Sequence, residues 1–126
     1  LAEDDPISRD VMRRIVGEWG ASVVVVENGK QAVELFKASR NISFDAVLMD
    51  LVMPVMNGIE ATTQIQKIQM ERHSNVPVLI LSGNESEREQ AAALQAGAET
   101  VLMKPLNYGR LQLLLEGIRL RKRVSA

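Results

Sequence analysis

Between Phe44 and Gly58 the chain reads Phe-Asp-Ala-Val-Leu-Met-Asp-Leu-Val-Met-Pro-Val-Met-Asn-Gly, a nearly all-apolar stretch that drives into one carboxylate, Asp50, and then breaks. An apolar run without alternation belongs to a strand buried on both faces, as in a parallel sheet; a half-solvated antiparallel strand would alternate. Pro54 and Gly58 end the strand and turn the chain. Asp50 is thereby placed at the carboxyl end of a central strand, where open parallel sheets bind their ligands.

The rest of the chain alternates helix and strand. Pro6 and Gly20 bracket a first helix over 6–19, with Ile7, Val11, Ile15 and Trp19 expected on its core face. Four consecutive valines in Ser22–Val26 predict a buried strand, and Glu27-Asn28-Gly29 turns into a helix carrying Val33, Leu35 and Phe36. After the central strand, Ala61, Ile65 and Ile68 mark a third helix, and Val76–Ser82 a strand in which the early Pro77 is tolerable. Ser86 and Glu89 have capping-box spacing for a helix that Gly97 stops. A short strand over Thr100–Met103 precedes a last helix with Leu111, Leu114, Leu115 and Ile118 inward and Asn107 as its cap. Such alternation, with right-handed crossovers, gives a parallel sheet with helices on both faces. Only Leu1-Ala2 remain for a strand before the first helix, so that strand is expected to be truncated and the chain to be a domain of a longer protein.

The 126 residues suffice for one domain, 1–126, able to bury roughly two-thirds of its unfolded surface. Fifteen Lys and Arg nearly balance sixteen Asp and Glu, and aromatics make up 3%, so no nucleic-acid surface is expected. With no Cys and one His, disulfides, zinc sites and Cys/His dyads are excluded. No apolar run approaches the ~20 residues needed to span a bilayer, and the acidic start is unlike a signal peptide, so a soluble, cytoplasmic domain without membrane contacts is expected.

Glu3, Asp4 and Asp5 follow the first strand position, Asp50 the third, Ser82 the fourth and Lys104 the fifth. Parallel strands bring these ends to one edge. Crowded carboxylates repel unless a cation neutralises them, and the hard, oxygen-seeking Mg2+ suits them. A carboxylate beside Mg2+, a lysine and a hydroxyl can form an aspartyl phosphate. Each residue alone has a plainer reading, as turn, cap or strand-end group; their joint order argues for a site. His73 and the run Arg119, Arg121, Lys122, Arg123 are read as solvated.

In these motifs (Glu3-Asp4, Leu48-Met49-Asp50 with Met53-Pro54 and Asn57-Gly58, Val78–Ser82, Ala96-Gly97-Ala98 and Lys104-Pro105) the whole chain resembles receiver domains of two-component response regulators and hybrid histidine kinases. The central motif is more like that of the hybrid kinases. The resemblance implies a flavodoxin-like doubly wound sheet of five parallel strands in the order 2-1-3-4-5. It implies that Asp50 accepts a phosphoryl group from the phosphohistidine of a histidine kinase or histidine phosphotransfer protein. Glu3 (through water), Asp4, Asp50 and the Val52 backbone carbonyl would hold Mg2+, Lys104 before a cis Pro105 would clamp the phosphoryl group, and Ser82 would swing to bond it. It leaves room for dimers through the last strand and flanking helices.

Two positions depart from the common pattern. Val101 stands where an aromatic readout residue is usual, and Val52 where a side chain could orient an attacking water; Asn84 is a candidate for that task instead. Slow self-dephosphorylation is therefore expected. A pseudo-receiver that binds without being phosphorylated would not need all five polar groups. A phosphatase of the haloacid-dehalogenase type would need an Asp where Val52 stands, and a nucleotide-binding module a glycine-rich loop.

Overall fold

The computed structural model describes residues 1–40, 44–83 and 86–125, and the side chains of 1–40, 44–83 and 86–121. Its elements, in chain order, are α1 (Pro6–Glu18), α2 (Gly29–Ala38), β1 (Val47–Asp50), α3 (Gly58–Arg72), β2 (Val78–Ser82), α4 (Glu87–Gln95), β3 (Thr100–Met103) and α5 (Tyr108–Ser125). The three strands are parallel in the order β1-β2-β3, with Leu48 opposite Leu79, Asp50 opposite Leu81 and Ser82 opposite Met103. Alternate strand residues feed two cores. Met49, Val78 and Ile80 pack with Ala32, Phe36, Ala61 and Ile65, while Leu48, Leu79, Leu81 and Leu102 pack with Met12, Val16, Leu111 and Ile118. Helices therefore cover both faces, as the unalternating apolar run requires.

Two expectations need correction. Five strands were expected, and among the described residues there are three. Ala2 forms single parallel bridges to Val26 on one side and Met49 on the other, and Val24, placed in a buried strand by its sequence, is 47% exposed. Residues 1–3 and 24–26 pair through Leu1 N–H to Val24 O at 3.0 Å, Val26 N–H to Leu1 O at 2.9 Å and Glu3 N–H to Val26 O at 3.2 Å, which amounts to a single bridge and not a regular strand. The second correction concerns α1, whose buried residues are Met12 and Val16. Ile7 is 74% exposed and Val11 also faces solvent. Spacing by four drifts by ~40° per step on a 3.6-residue helix, so a 7-11-15-19 series cannot keep one face.

The helix ends follow their sequence signals. Asp5, Asn28, Asn57, Ser86 and Asn107 each accept a hydrogen bond from a backbone N–H in the first turn of the helix they precede. Gly97 turns the chain after α4 at φ +112°, and His73 caps α3 in the left-handed region, exposed as expected. Arg121 is not merely solvated: its guanidinium makes two parallel bonds to Glu99, at 3.0 and 2.9 Å. Among the described residues no helix is long and apolar enough to cross a membrane.

Candidate functional site

Backbone pairing assembles the carboxyl edge of the sheet. Asp50 N–H donates to Ala2 O at 2.9 Å, Leu51 N–H to Leu81 O at 2.9 Å and Lys104 N–H to Ser82 O at 2.7 Å. These bonds place Glu3, Asp50, Ser82 and Lys104 on adjacent chain ends. Gly58 lets the following loop fold back tightly: its N–H reaches Leu51 O at 2.8 Å, and a Cβ there would lie 2.3 Å from the Asp50 carbonyl oxygen.

At the edge, Lys104 Nζ stands 2.9 Å from Asp50 Oδ1 and 3.3 Å from Glu3 Oε2. Both acids are buried, Glu3 at 1% and Asp50 at 5% exposure. Burial pushes the Glu3 carboxyl up, the Asp50 charge adds to this, and the Asp5 N–H (3.2 Å) and Lys104 only partly offset it. Burial works against the Lys104 charge, yet the hydrogen bond and charge of Asp50, with Glu3 behind it, leave the ammonium pKa raised. Asp4 is exposed and completes a trio: one carboxylate oxygen from each of Glu3, Asp4 and Asp50 lies within 4.8 Å of the others.

Three carboxylates against one ammonium leave an excess of negative charge aimed at one point, and their hard oxygens fit Mg2+ better than a soft or nitrogen-seeking metal. Among the described residues the Val52 carbonyl accepts no hydrogen bond, and the Val52 side chain is 72% exposed. Ser82 is buried at 1%, and the Lys104–Pro105 peptide is cis. Asp5 stands apart from the trio as the α1 cap, its carboxyl held below the usual range by the Ser8 hydroxyl (2.7 Å) and Ser8 N–H (3.1 Å). Val101 is half-buried on β3, and Asn84 lies outside the described residues.

Sequence reasoning missed Arg9. Its guanidinium donates to the Glu3 carbonyl at 3.3 Å and pairs with Glu27 at 3.8 Å. The available signal was its place about one turn into a helix that starts at the acidic cluster.

The sequence matches the family described as response regulator receiver domain over residues 1–116. It is 34% identical over 119 residues to the peroxide stress-activated histidine kinase mak1 of Schizosaccharomyces pombe, covering 94% of this chain and 7% of that protein. Among solved structures it is similar to the receiver domain of sensor histidine kinase PA1611 from Pseudomonas aeruginosa, in which a magnesium ion is coordinated in the active site cleft: 33% identity, TM-score 0.79, 91% of this chain and 90% of that one. It is also similar to the receiver domain of Saccharomyces cerevisiae Ssk1 in co-crystal with the histidine phosphotransfer protein Ypd1: 26% identity, TM-score 0.79, 88% of this chain and 80% of that one. The chain spans 6 to 12% of the length of curated relatives such as these kinases and sensor proteins.

Proposed function

The chain belongs to the response regulator receiver domain family, and on that premise we propose that Asp50 accepts a phosphoryl group from a phosphohistidine on a partner protein. A carboxylate oxygen of Asp50 attacks phosphorus in line, the phosphorus–nitrogen bond breaks, and its electron pair returns to the imidazole. The observation that carries this reading is the buried Asp50 with Lys104 Nζ at 2.9 Å inside a trio of acids. Mg2+, when bound, neutralises the oxygens that approach one another. Glu3 (through water), Asp4, Asp50 and the Val52 carbonyl are its proposed holders. Lys104 moves its bond from Asp50 Oδ1 to a phosphoryl oxygen, and the Ser82 hydroxyl donates to another. That rearrangement biases the surface around α4 and β3, the logic of a phosphorylation switch.

In this reading the Val26 and Ala2 bridges mark two further positions of a sheet ordered 2-1-3-4-5. The parent protein is a longer cytoplasmic signalling chain such as a hybrid histidine kinase, and its donor is a histidine kinase or a phosphotransfer protein like the one bound to Ssk1. Exposed Ile7, Val52 and Val55 lie on the segments that carry the acids and offer such a partner apolar contacts. Dimers through β3 and its flanking helices belong to the same proposal. The test is titration with beryllofluoride and Mg2+, followed by amide NMR. Saturable shifts at Asp50, Ser82 and Lys104 that vanish in Asp50→Asn support phosphorylation chemistry; no Asp50-dependent response makes the domain a pseudo-receiver.

A further inference from the structure

We infer that Arg9 is a positioning residue for the cation site, and that it works through the backbone of Glu3. The inference rests on the proposal that Glu3, Asp4 and Asp50 hold Mg2+. Residues 1–3 and 24–26 run side by side as far as the bond from Glu3 N–H to Val26 O at 3.2 Å. Beyond it the two chains part, one towards Asp4 and α1, the other into the Glu27 turn. Arg9 bridges the gap. Its Nη1 donates to the Glu3 carbonyl at 3.3 Å and lies 3.8 Å from Glu27 Oε1. The Arg9 side chain is 20% exposed, against 67% for Glu27, so Arg9 is the more buried member of the pair.

The peptide that begins at the Glu3 carbonyl leads directly into Asp4, whose side chain is exposed. Asp4 is thus aimed by its backbone, and that backbone is held by Arg9 on one side and by the bond from Asp5 N–H to Glu3 Oε1 on the other. Mg2+ demands near-octahedral geometry with short bonds, so a small displacement of one carboxylate is felt in affinity. Groups that orient metal ligands typically change affinity by about 10- to 100-fold when removed. A guanidinium aims its N–H groups from one rigid plane, here the Nη1 bond to the Glu3 carbonyl with Glu27 as a looser ion-pair partner, whereas a lysine supplies a flexible point charge.

Electrostatics alone predicts the opposite sign. Arg9 is a positive charge close to a cation site, so removing it would tighten Mg2+ if charge were its whole contribution. The experiment is an Mg2+ titration of wild type, Arg9→Met and Arg9→Lys, followed by amide NMR, which reports folding and affinity in the same spectra. Positioning predicts Mg2+ binding weakened about tenfold in Arg9→Met and by less in Arg9→Lys, with native dispersion retained in both. Unchanged or tighter binding in folded Arg9→Met overturns the inference and leaves the acidic site standing. Should Arg9→Met fail to fold, Arg9→Lys decides: affinity equal to wild type overturns the inference, and weaker affinity supports it. A wild type that binds no Mg2+ overturns the acidic-site reading and this inference together.

Discussion

Replacing Lys104 by Met deletes the ammonium shared by two buried carboxylates while keeping most of the aliphatic stem. Removing one partner of a fully buried pair costs about 3–5 kcal/mol. Here the Lys104 side chain is 34% exposed and therefore partly screened. Glu3, already pushed towards its protonated form, can also relieve the strain by taking up a proton. The expected cost is about 1–2 kcal/mol near neutral pH. In a domain of this size that is a fall in Tm of roughly 4–8 °C. The pH dependence has a definite sign. Glu3 is an acid whose folded pKa lies above its unfolded value, so its contribution to stability is greatest at low pH and is lost as pH rises through the folded pKa. Without Lys104 that pKa rises further, so the deficit of the variant should shrink on acidification. It should shrink again when Mg2+ is added, since a cation then takes over the neutralising role. Thermal melts of both proteins at neutral and mildly acidic pH, with and without Mg2+, measure all three effects. A deficit of the same size under every condition would show that Lys104 contributes packing alone and would refute the charge argument.

Other outcomes follow from the same geometry. Gly58→Ala should destabilise by about 1–3 kcal/mol in chemical denaturation, because the added methyl meets the Asp50 carbonyl at 2.3 Å and a helix-propensity gain of at most ~1 kcal/mol does not offset that; equal or greater stability would contradict the tight fold-back. Asp5, whose folded pKa is held down by Ser8, stabilises the fold above its unfolded pKa and loses that contribution as pH falls through the folded value. Melts of Asp5→Asn against wild type should therefore converge in acid, and a gap independent of pH would sink this. With the exposed Val52 side chain two residues after the acceptor, a phosphorylated state is expected to persist for minutes or longer in Mg2+; decay within seconds, followed by mass spectrometry, would speak against it.

What could be read from the sequence was the part dictated by local chemistry. The caps at Asn107 and Ser86, the stop at Gly97 and the limits of β3 all follow from single residues with specific backbone preferences. The site was legible because Asp50, Ser82 and Lys104 end strands that parallel pairing must bring together. The failures came from long-range geometry. The valines of 22–26 have strand propensity, but a strand is defined by its ladder, and among the described residues the pairing there is a single bridge between Ala2 and Val26. The α1 face was misread because spacing by four imitates a stripe over two turns and then drifts away from it. Arg9 and the Arg121–Glu99 pair join residues whose contact no periodicity announces. Trp19, the one tryptophan, caps the far end of α1, a helix length of ~20 Å from the acids, so it is a poor reporter of metal binding and amide NMR is the better probe.

The central claim is that Asp50 is a phosphoryl acceptor. Incubation with acetyl phosphate, followed by intact-mass measurement of wild type and Asp50→Asn with and without Mg2+, tests it most directly. One added phosphoryl group is expected on wild type, dependent on Mg2+ and absent from Asp50→Asn. No adduct on wild type, or the same adduct on Asp50→Asn, would contradict it.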